Sequence, residues 1–300
     1  MKYTTVVISG GALRGFGLLG AIQYIQDREW LRDVHRFIGT SIGAIISYLL
    51  CIGYSPTEIM VNMCQSSLFD KMAKIDTVNV LHGMGAGSFS ILHDHLEKMT
   101  LSKIKKHVSL GELFTRFGKS LVCCTYNETC ERVEYLSHLN HPDMDCLTAI
   151  RMSANLPFMF DPFVYQDFSY IDGGVANNFP IDQVGNDEPA LGIRIGRNDV
   201  QKEKDTGENL MVRFYNTILI PIQCMENVLI EKVSRENPLI DVISVSIPTC
   251  MTLHFSLTTT DKFDMFSTGY DTARRYFESK ETTEKMNPSG ERPAKKDDDP

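Results

Sequence analysis

Three hundred residues are enough for one large α/β domain or two small ones, each able to bury a core. A 43% hydrophobic and 23% charged composition is that of an ordinary soluble globule, and a net charge of −8 argues against nucleic acid as a general partner. Eight cysteines with no C-x-x-C pair do not make a disulfide framework and read as reduced thiols of an intracellular protein. Met1-Lys2-Tyr3 runs straight into the apolar segment Thr4–Ile8, without the apolar region of a cleavable leader. The longest apolar run, Ile42 to Ile52, is shorter than the roughly 20 residues that span a bilayer. The expectation is a cytoplasmic, unsecreted chain whose contact with membranes, where there is any, is peripheral.

In chain order, a strand over 3–8 leads into the glycine-rich loop from Ser9 to Gly20. Gly15-Phe16-Gly17-Leu18-Leu19-Gly20 has the letters of a dinucleotide fingerprint, but its first glycine falls well past the strand end. No acidic residue closes the second strand, Phe37-Ile38-Gly39. A P-loop fails because Phe16 stands where lysine should be. Two readings remain: an oxyanion hole made by the amides of Gly10, Gly11 and Ala12 with Arg14 adding positive potential, or a plain loop with helix-packing glycines. A helix from Leu18 to about Glu29 separates this loop from Gly39-Thr40-Ser41-Ile42-Gly43, a G-x-S-x-G pentapeptide between a strand and an apolar helix. A serine on so sharp a turn projects its hydroxyl from the backbone, and the helix N-terminus behind it favours a developing alkoxide. The plain alternative is a small-residue turn with a capping serine.

Residues 55–80 read as peripheral helices opened by the capping box Ser55-Pro56-Thr57-Glu58. His82–Phe89 is a glycine-rich loop with Met84 and Phe89 expected at its surface, and a helix follows over 90–98. His93 and His95, two apart on that helix, diverge and are read as surface histidines rather than metal ligands. Lys103, Lys105, Lys106 and His107 form a basic cluster, either a solvated face or a contact for anionic lipid. Together with Met84 and Phe89 it suggests a flap that touches lipid, against the plain reading of a mobile surface loop.

Strands are expected over 119–125 and 132–136, with Cys123 and Cys124 facing opposite ways. A helix over 146–153 precedes Leu156-Pro157. Strands over 163–165 and 169–171 lead to Asp172-Gly173-Gly174, a carboxylate followed by two glycines, which is also a common turn. Further elements are a strand over 189–195, a helix over 209–234, a strand over 239–247 and a helix over 261–279. From Lys280 to Pro300 the sequence is polar without an apolar period and is expected to be disordered. Alternating strands and helices imply an α/β fold: a mostly parallel central sheet with helices on both faces in three layers, as one domain over 1–279.

Four blocks, taken together, resemble the patatin-like phospholipases, lipid acyl hydrolases with a Ser–Asp dyad. They are Ser9–Gly15 (SGGALRG), Gly39–Gly43 (GTSIG), Ser153–Phe160 (SANLPFMF) and Asp172-Gly173-Gly174, in the family's order and covering about Tyr3 to Ile195. The resemblance implies Ser41 as nucleophile and Asp172 as general base. It implies an oxyanion hole from Gly10, Gly11 and Ala12 with Arg14, supported by Gly39, Gly43, Gly173 and Gly174. It implies a phospholipid or other acyl lipid as substrate, and neither metal nor cofactor. The sequence departs from the family at Ala12, where a third consecutive glycine is usual; a methyl group there is expected to restrict φ and narrow the acyl site. For Asp172 to serve as a base, burial must raise its pKa or proton transfer must be concerted with attack. Two rivals stand beside this reading. One is an α/β-hydrolase esterase with a Ser41/Asp172/His254 triad, and the other is a non-catalytic lipid- or nucleotide-binding protein of related fold.

Overall fold

A computed structural model describes residues 3–65, 87–196, 210–247 and 257–286. Its centre is an eight-stranded sheet built around three short apolar strands, β1 (Thr5–Ile8), β2 (Arg36–Thr40) and β3 (Ser120–Asn127). Strands β7 (Ala190–Gly196) and β8 (Ile240–Ser246) continue it, so that β3-β2-β1-β7-β8 run parallel. The remaining strands, β4 (Arg132–Ser137), β5 (Phe163–Tyr165) and β6 (Phe168–Asp172), add antiparallel pairings on the β3 side. β1 is buried along its whole length, as the centre of a parallel sheet covered on both faces must be.

Alternation along the strands sorts the core into two unequal parts. Val6, Ile8, Phe37, Leu121, Cys123, Leu191 and Ile193 face the larger one. It is closed by α1 (Gly15–Asp27), α2 (Ile42–Cys51), α3 (Pro56–Gln65), α4 (Ser90–Ile104), α5 (Leu110–Phe117), α6 (Cys146–Ser153) and α8 (Thr259–Met286). On the opposite face Val7, Ile38 and Val122 meet Phe179, Ile181 and Val184, and beyond them the C-terminal half of α7 (Leu210–Glu236). The three layers expected from the sequence are present, and the second helical layer is thin.

The fingerprint-like glycines are packing residues. Gly17 lies against Ile247 and Val245, and α1 and α8 cross so closely that a β-carbon at Gly20 would fall 1.8 Å from the Phe266 carbonyl oxygen. At Gly269 it would fall 1.8 Å from that of Gly17. The box Ser55–Glu58 forms at the start of α3, with the Ser55 amide donating to Glu58 at 2.7 Å and the Glu58 amide to Ser55 Oγ at 3.1 Å. Among the described residues no single helix is long and apolar enough to cross a membrane.

Two expectations need correction. The final helix does not stop at Ser279: it continues to Met286, because Lys280 reaches back to pair with the buried Asp241 at 2.6 Å, and Tyr3 and Tyr276 donate to the same carboxylate. Phe89 is not a surface tip; it is 3% exposed, packed edge-on to Phe160 at 5.0 Å and under the Arg151 guanidinium at 4.2 Å. The lysine cluster lies on a solvated face, as one of its two readings had it, with Lys103 pairing with Glu58 at 3.0 Å and Lys106 with Glu112 at 2.7 Å. The loop with Met84, the later part of the helices expected up to residue 80, His254 and the chain after Met286 lie outside the described residues.

Candidate active site

The site is assembled where β1, β2 and β6 end. β2 finishes at Thr40, and Ser41 turns the chain into α2 with φ 57° and ψ −123°, a conformation few non-glycine residues hold. The turn closes only because its neighbours lack β-carbons. One at Gly39 would sit 2.4 Å from the Gly43 carbonyl carbon, and one at Gly43 would sit 2.2 Å from the Ile8 carbonyl oxygen. The Ser41 side chain makes no capping bond to its helix, which disposes of the capping-serine alternative. Its own amide donates to Ser153 Oγ at 3.0 Å, and Ser153 Oγ donates in turn to the Cys124 carbonyl at 2.6 Å. Ser153 thereby ties the elbow to β3.

Asp172 ends β6 and is only 2% exposed. Its amide donates to the Asn155 carbonyl at 2.9 Å, while Asn155 Nδ2 donates to the Tyr170 carbonyl at 2.8 Å. The SANLPF segment thus grips the strand that carries the carboxylate. Burial pushes Asp172 up to about 6; hydrogen bonds from the Ser41 hydroxyl and the Gly174 amide, the latter at 2.7 Å, work the other way. A buried carboxylate that feels the serine hydroxyl and has its pKa lifted toward neutrality has what a general base needs.

The glycine loop follows β1. Gly11 and Ala12 lead into a single 3-10 turn, and α1 begins at Gly15, close against Ile42 at the start of α2. Ser41 stands at the N-terminus of α2, and the N-terminus of α1 lies beside the next residue, Ile42. Ala12 holds φ 48°, the left-handed conformation that glycine adopts without strain, so the methyl group did not prevent the loop from closing. Gly10 departs from expectation. Its amide is spent on the Asn178 carbonyl at 2.9 Å and anchors the loop, leaving the amides of Gly11 and Ala12, which meet no backbone acceptor among the described residues.

Asn178 and its partners were not visible as site residues in the sequence. Asn178 Nδ2 donates to Glu226 Oε1 at 2.8 Å, and Glu226 is a 4%-exposed carboxylate on α7 paired with Arg194 at 3.4 Å. Burial pushes the Glu226 pKa up, while Asn178, Arg194 and Arg14 of the glycine loop draw it down. Thr40 Oγ1 donates to the neighbouring Asn177 carbonyl at 3.0 Å. Asn177-Asn178-Phe179-Pro180 reads in sequence as a loop and helix start; its position a few residues after Asp-Gly-Gly was the available signal.

His35 and His138 stand at the far end of the sheet. His35 precedes β2 and His138 contacts Ser120, which pairs with Arg36 at the strand starts, whereas Ser41 follows the strand end. Among the described residues no three His, Cys, Asp or Glu side chains are gathered as a metal ion would require. Cys123 and Cys124 do face opposite ways, Cys123 into the larger core and Cys124 Sγ toward the Asn177 carbonyl at 3.4 Å.

Residues 6–184 match the family described as "Patatin-like phospholipase". A protein of Invertebrate iridescent virus 6 named "Probable lipid hydrolase 463L" is 38% identical over 186 residues, 60% of this chain and 62% of the relative. An uncharacterized mimivirus protein, R571, is 28% identical over 67% of each chain. Among solved structures, VipD from Legionella pneumophila superposes with a TM-score of 0.56 at 16% identity, over 92% of this chain and 67% of that one. The type III effector ExoU of Pseudomonas aeruginosa gives 0.52 at 13% identity, over 93% and 53%. At these identities the two structures speak for the fold alone. The chain spans about three fifths of the iridovirus relative and about half of ExoU.

Proposed function

The chain belongs to the patatin-like phospholipase family, and from that premise we propose that it is a lipid acyl hydrolase working through a Ser41–Asp172 dyad. The observation that carries the proposal is a buried carboxylate set beside the strained Ser41 turn, its pKa raised to about 6 by burial and drawn down by the Ser41 hydroxyl. Ser41 Oγ attacks the ester carbonyl and its proton passes to Asp172. The oxyanion collects the amides of Gly11 and Ala12, with α1 and α2 directing their positive ends toward it. As the carbonyl carbon's bond to the alcohol oxygen breaks, Asp172 returns the proton to the departing alkoxide. Water then attacks the acyl-enzyme, giving its proton to Asp172, which restores it to Ser41 as the fatty acid leaves.

The rival triad requires a histidine between Ser41 and Asp172, and the influence of the Ser41 hydroxyl on the Asp172 pKa speaks for two groups that interact without one. The non-catalytic rival gives no reason for a strained serine turn beside a buried base. A fluorophosphonate probe tests the reading: it should label Ser41 alone. Ser41→Ala should abolish both labelling and fatty-acid release from phospholipid vesicles while leaving the circular dichroism spectrum unchanged. Labelling at another serine, or lipid hydrolysis that survives Ser41→Ala, contradicts the assignment.

A further inference from the structure

Helix α6 has two sides with different duties. Ser153 holds the Ser41 amide, whereas Arg151, two residues earlier, points away from it, since residues two apart on a helix do not share a face. On that outer side lies a cavity of about 260 Å³. Its polar lining is Ser88, Ser90 and His93 around the start of α4, with Thr148 and Arg151 of α6. Phe89 and Phe163 close its apolar side. No acidic residue lines it, and neither do Ser41, Asp172 or the glycine loop.

Arg151 is the group in this wall that the fold leaves unexplained. Its guanidinium lies against the rings of Phe89 at 4.2 Å and Phe163 at 5.1 Å. Nη2 donates to the Asp161 carbonyl at 2.9 Å, but Nη1 is buried without a hydrogen-bond partner. Burial pushes the Arg151 pKa down to about 10, and the Asp161 carboxylate offsets only part of that. A guanidinium stacked on aromatic rings keeps its N–H groups in its own plane for an acceptor, and a charge taken out of water ordinarily has one. The other polar groups are arranged around it. Ser90 and His93 are three apart on α4, and Thr148 and Arg151 three apart on α6, so each pair presents one helix face to the cavity. Ser90 Oγ accepts from Ser88 Oγ at 2.9 Å and keeps its own hydrogen to donate.

A guanidinium joined by hydroxyls and an imidazole, with no acid among them, offers more donors than the two oxygens of a carboxylate can use. A phosphate monoester brings three strong acceptor oxygens and close to two negative charges, and it suits the planar fork of an arginine. The cavity is a little smaller than the roughly 300–1,000 Å³ of drug-sized sites, which leaves room for the phosphate and a small organic part. We propose that this cavity is a binding site for a phosphate monoester, held by Arg151 with Ser90, His93 and Thr148 and separate from the catalytic centre. The inference goes beyond the hydrolase reading and does not depend on it.

The first probe is inorganic phosphate, titrated near neutral pH into the full chain carrying Ser41→Ala and followed by calorimetry. Two further substitutions are compared in that background. Arg151→Gln removes the charge. Thr148→Glu adds a carboxylate to the cavity at the third residue of α6, where an acid suits the helix N-terminus and the fold is kept. Thr148→Glu therefore keeps the test decisive even if Arg151→Gln, placed among the aromatic rings, fails to fold. Phosphate binding should be saturable and weaken at least about tenfold in each variant. The second probe is phosphatidylcholine vesicles with and without phosphatidic acid, a lipid phosphate monoester. Variants that lose phosphate together with the phosphatidic-acid-dependent part of vesicle binding support the site and make its ligand a lipid headgroup. Variants that lose phosphate alone support it and make its ligand a soluble phosphate ester. Absence of saturable phosphate binding to the Ser41→Ala protein, or equal binding after Thr148→Glu is added, overturns the proposal.

Discussion

The two flanks of Ser41 are built in different ways. The elbow flank is local: Gly39, Ser41 and Gly43 lie within five residues, and backbone pressed on backbone enforces their identities. The glycine-loop flank is held from afar. Gly10 is anchored by Asn178, Asn178 by Glu226 on α7, and Glu226 by Arg194 on β7. A steric necessity among neighbours leaves a compact motif, whereas a support made of one hydrogen bond per distant residue leaves isolated polar letters.

The comparison is broken most severely at Gly43. An added methyl group there meets the Ile8 carbonyl, a backbone atom with no freedom to move aside. Gly43→Ala should lower the unfolding free energy by about 3 kcal/mol or more, read by urea denaturation. Near-normal stability would show that the elbow is looser than the contacts imply.

The distant support should fail more gently and in a different observable. Glu226→Ala leaves Asn178 Nδ2 and the Arg194 guanidinium without their buried partner and frees the loop behind Gly10. We expect kcat to fall about ten- to a hundredfold with KM for a small soluble ester little changed, as when one oxyanion donor is misplaced. Glu226→Gln, which keeps an acceptor for Asn178, should recover much of that loss. Equal rates in the alanine variant and the parent would reduce Glu226 to a packing residue.

The smallest effect is expected at Ala12, whose φ of 48° carries strain that glycine would not. Ala12→Gly should raise stability by about 0.5–1 kcal/mol, the strain relieved less the entropy glycine adds to the unfolded chain. Denaturant midpoints measure it, and a loss of stability would mean that the methyl group contributes packing greater than its strain.

The same contrast explains what was readable in the sequence. Strand periodicity and the two-faced helices gave the three layers and nearly every element, because burial dictates side chains one at a time. Ser41 and Asp172 were legible because strained turns and Asp-Gly-Gly are local. The glycines at 17 and 20 were readable as special but not as the seat of α8, since their partners, Phe266 and Gly269, lie some 250 residues away. Phe89 looked exposed because it follows glycines, and only the fold supplies Arg151 and Phe160 around it. Lys280 looked like the start of a tail because its reason for staying helical is Asp241, on another element. Gly10 was assigned to the oxyanion hole with its neighbours because nothing local reveals that Asn178 takes its amide.

The central claim is that Asp172 alone moves the proton of Ser41, and the pH dependence of kcat for the parent, Asp172→Asn and His254→Ala tests it most directly. A base must be ionised to act, and burial raises Asp172 to about 6, so parental kcat should climb as pH rises through about 6 and level off above it. Asp172→Asn should lose a factor on the order of 10⁴ and show no such climb. His254→Ala should retain both the rate and the profile. A His254→Ala variant that falls to the level of Ser41→Ala, with Asp172→Asn less damaged, would contradict the dyad and require a triad in its place.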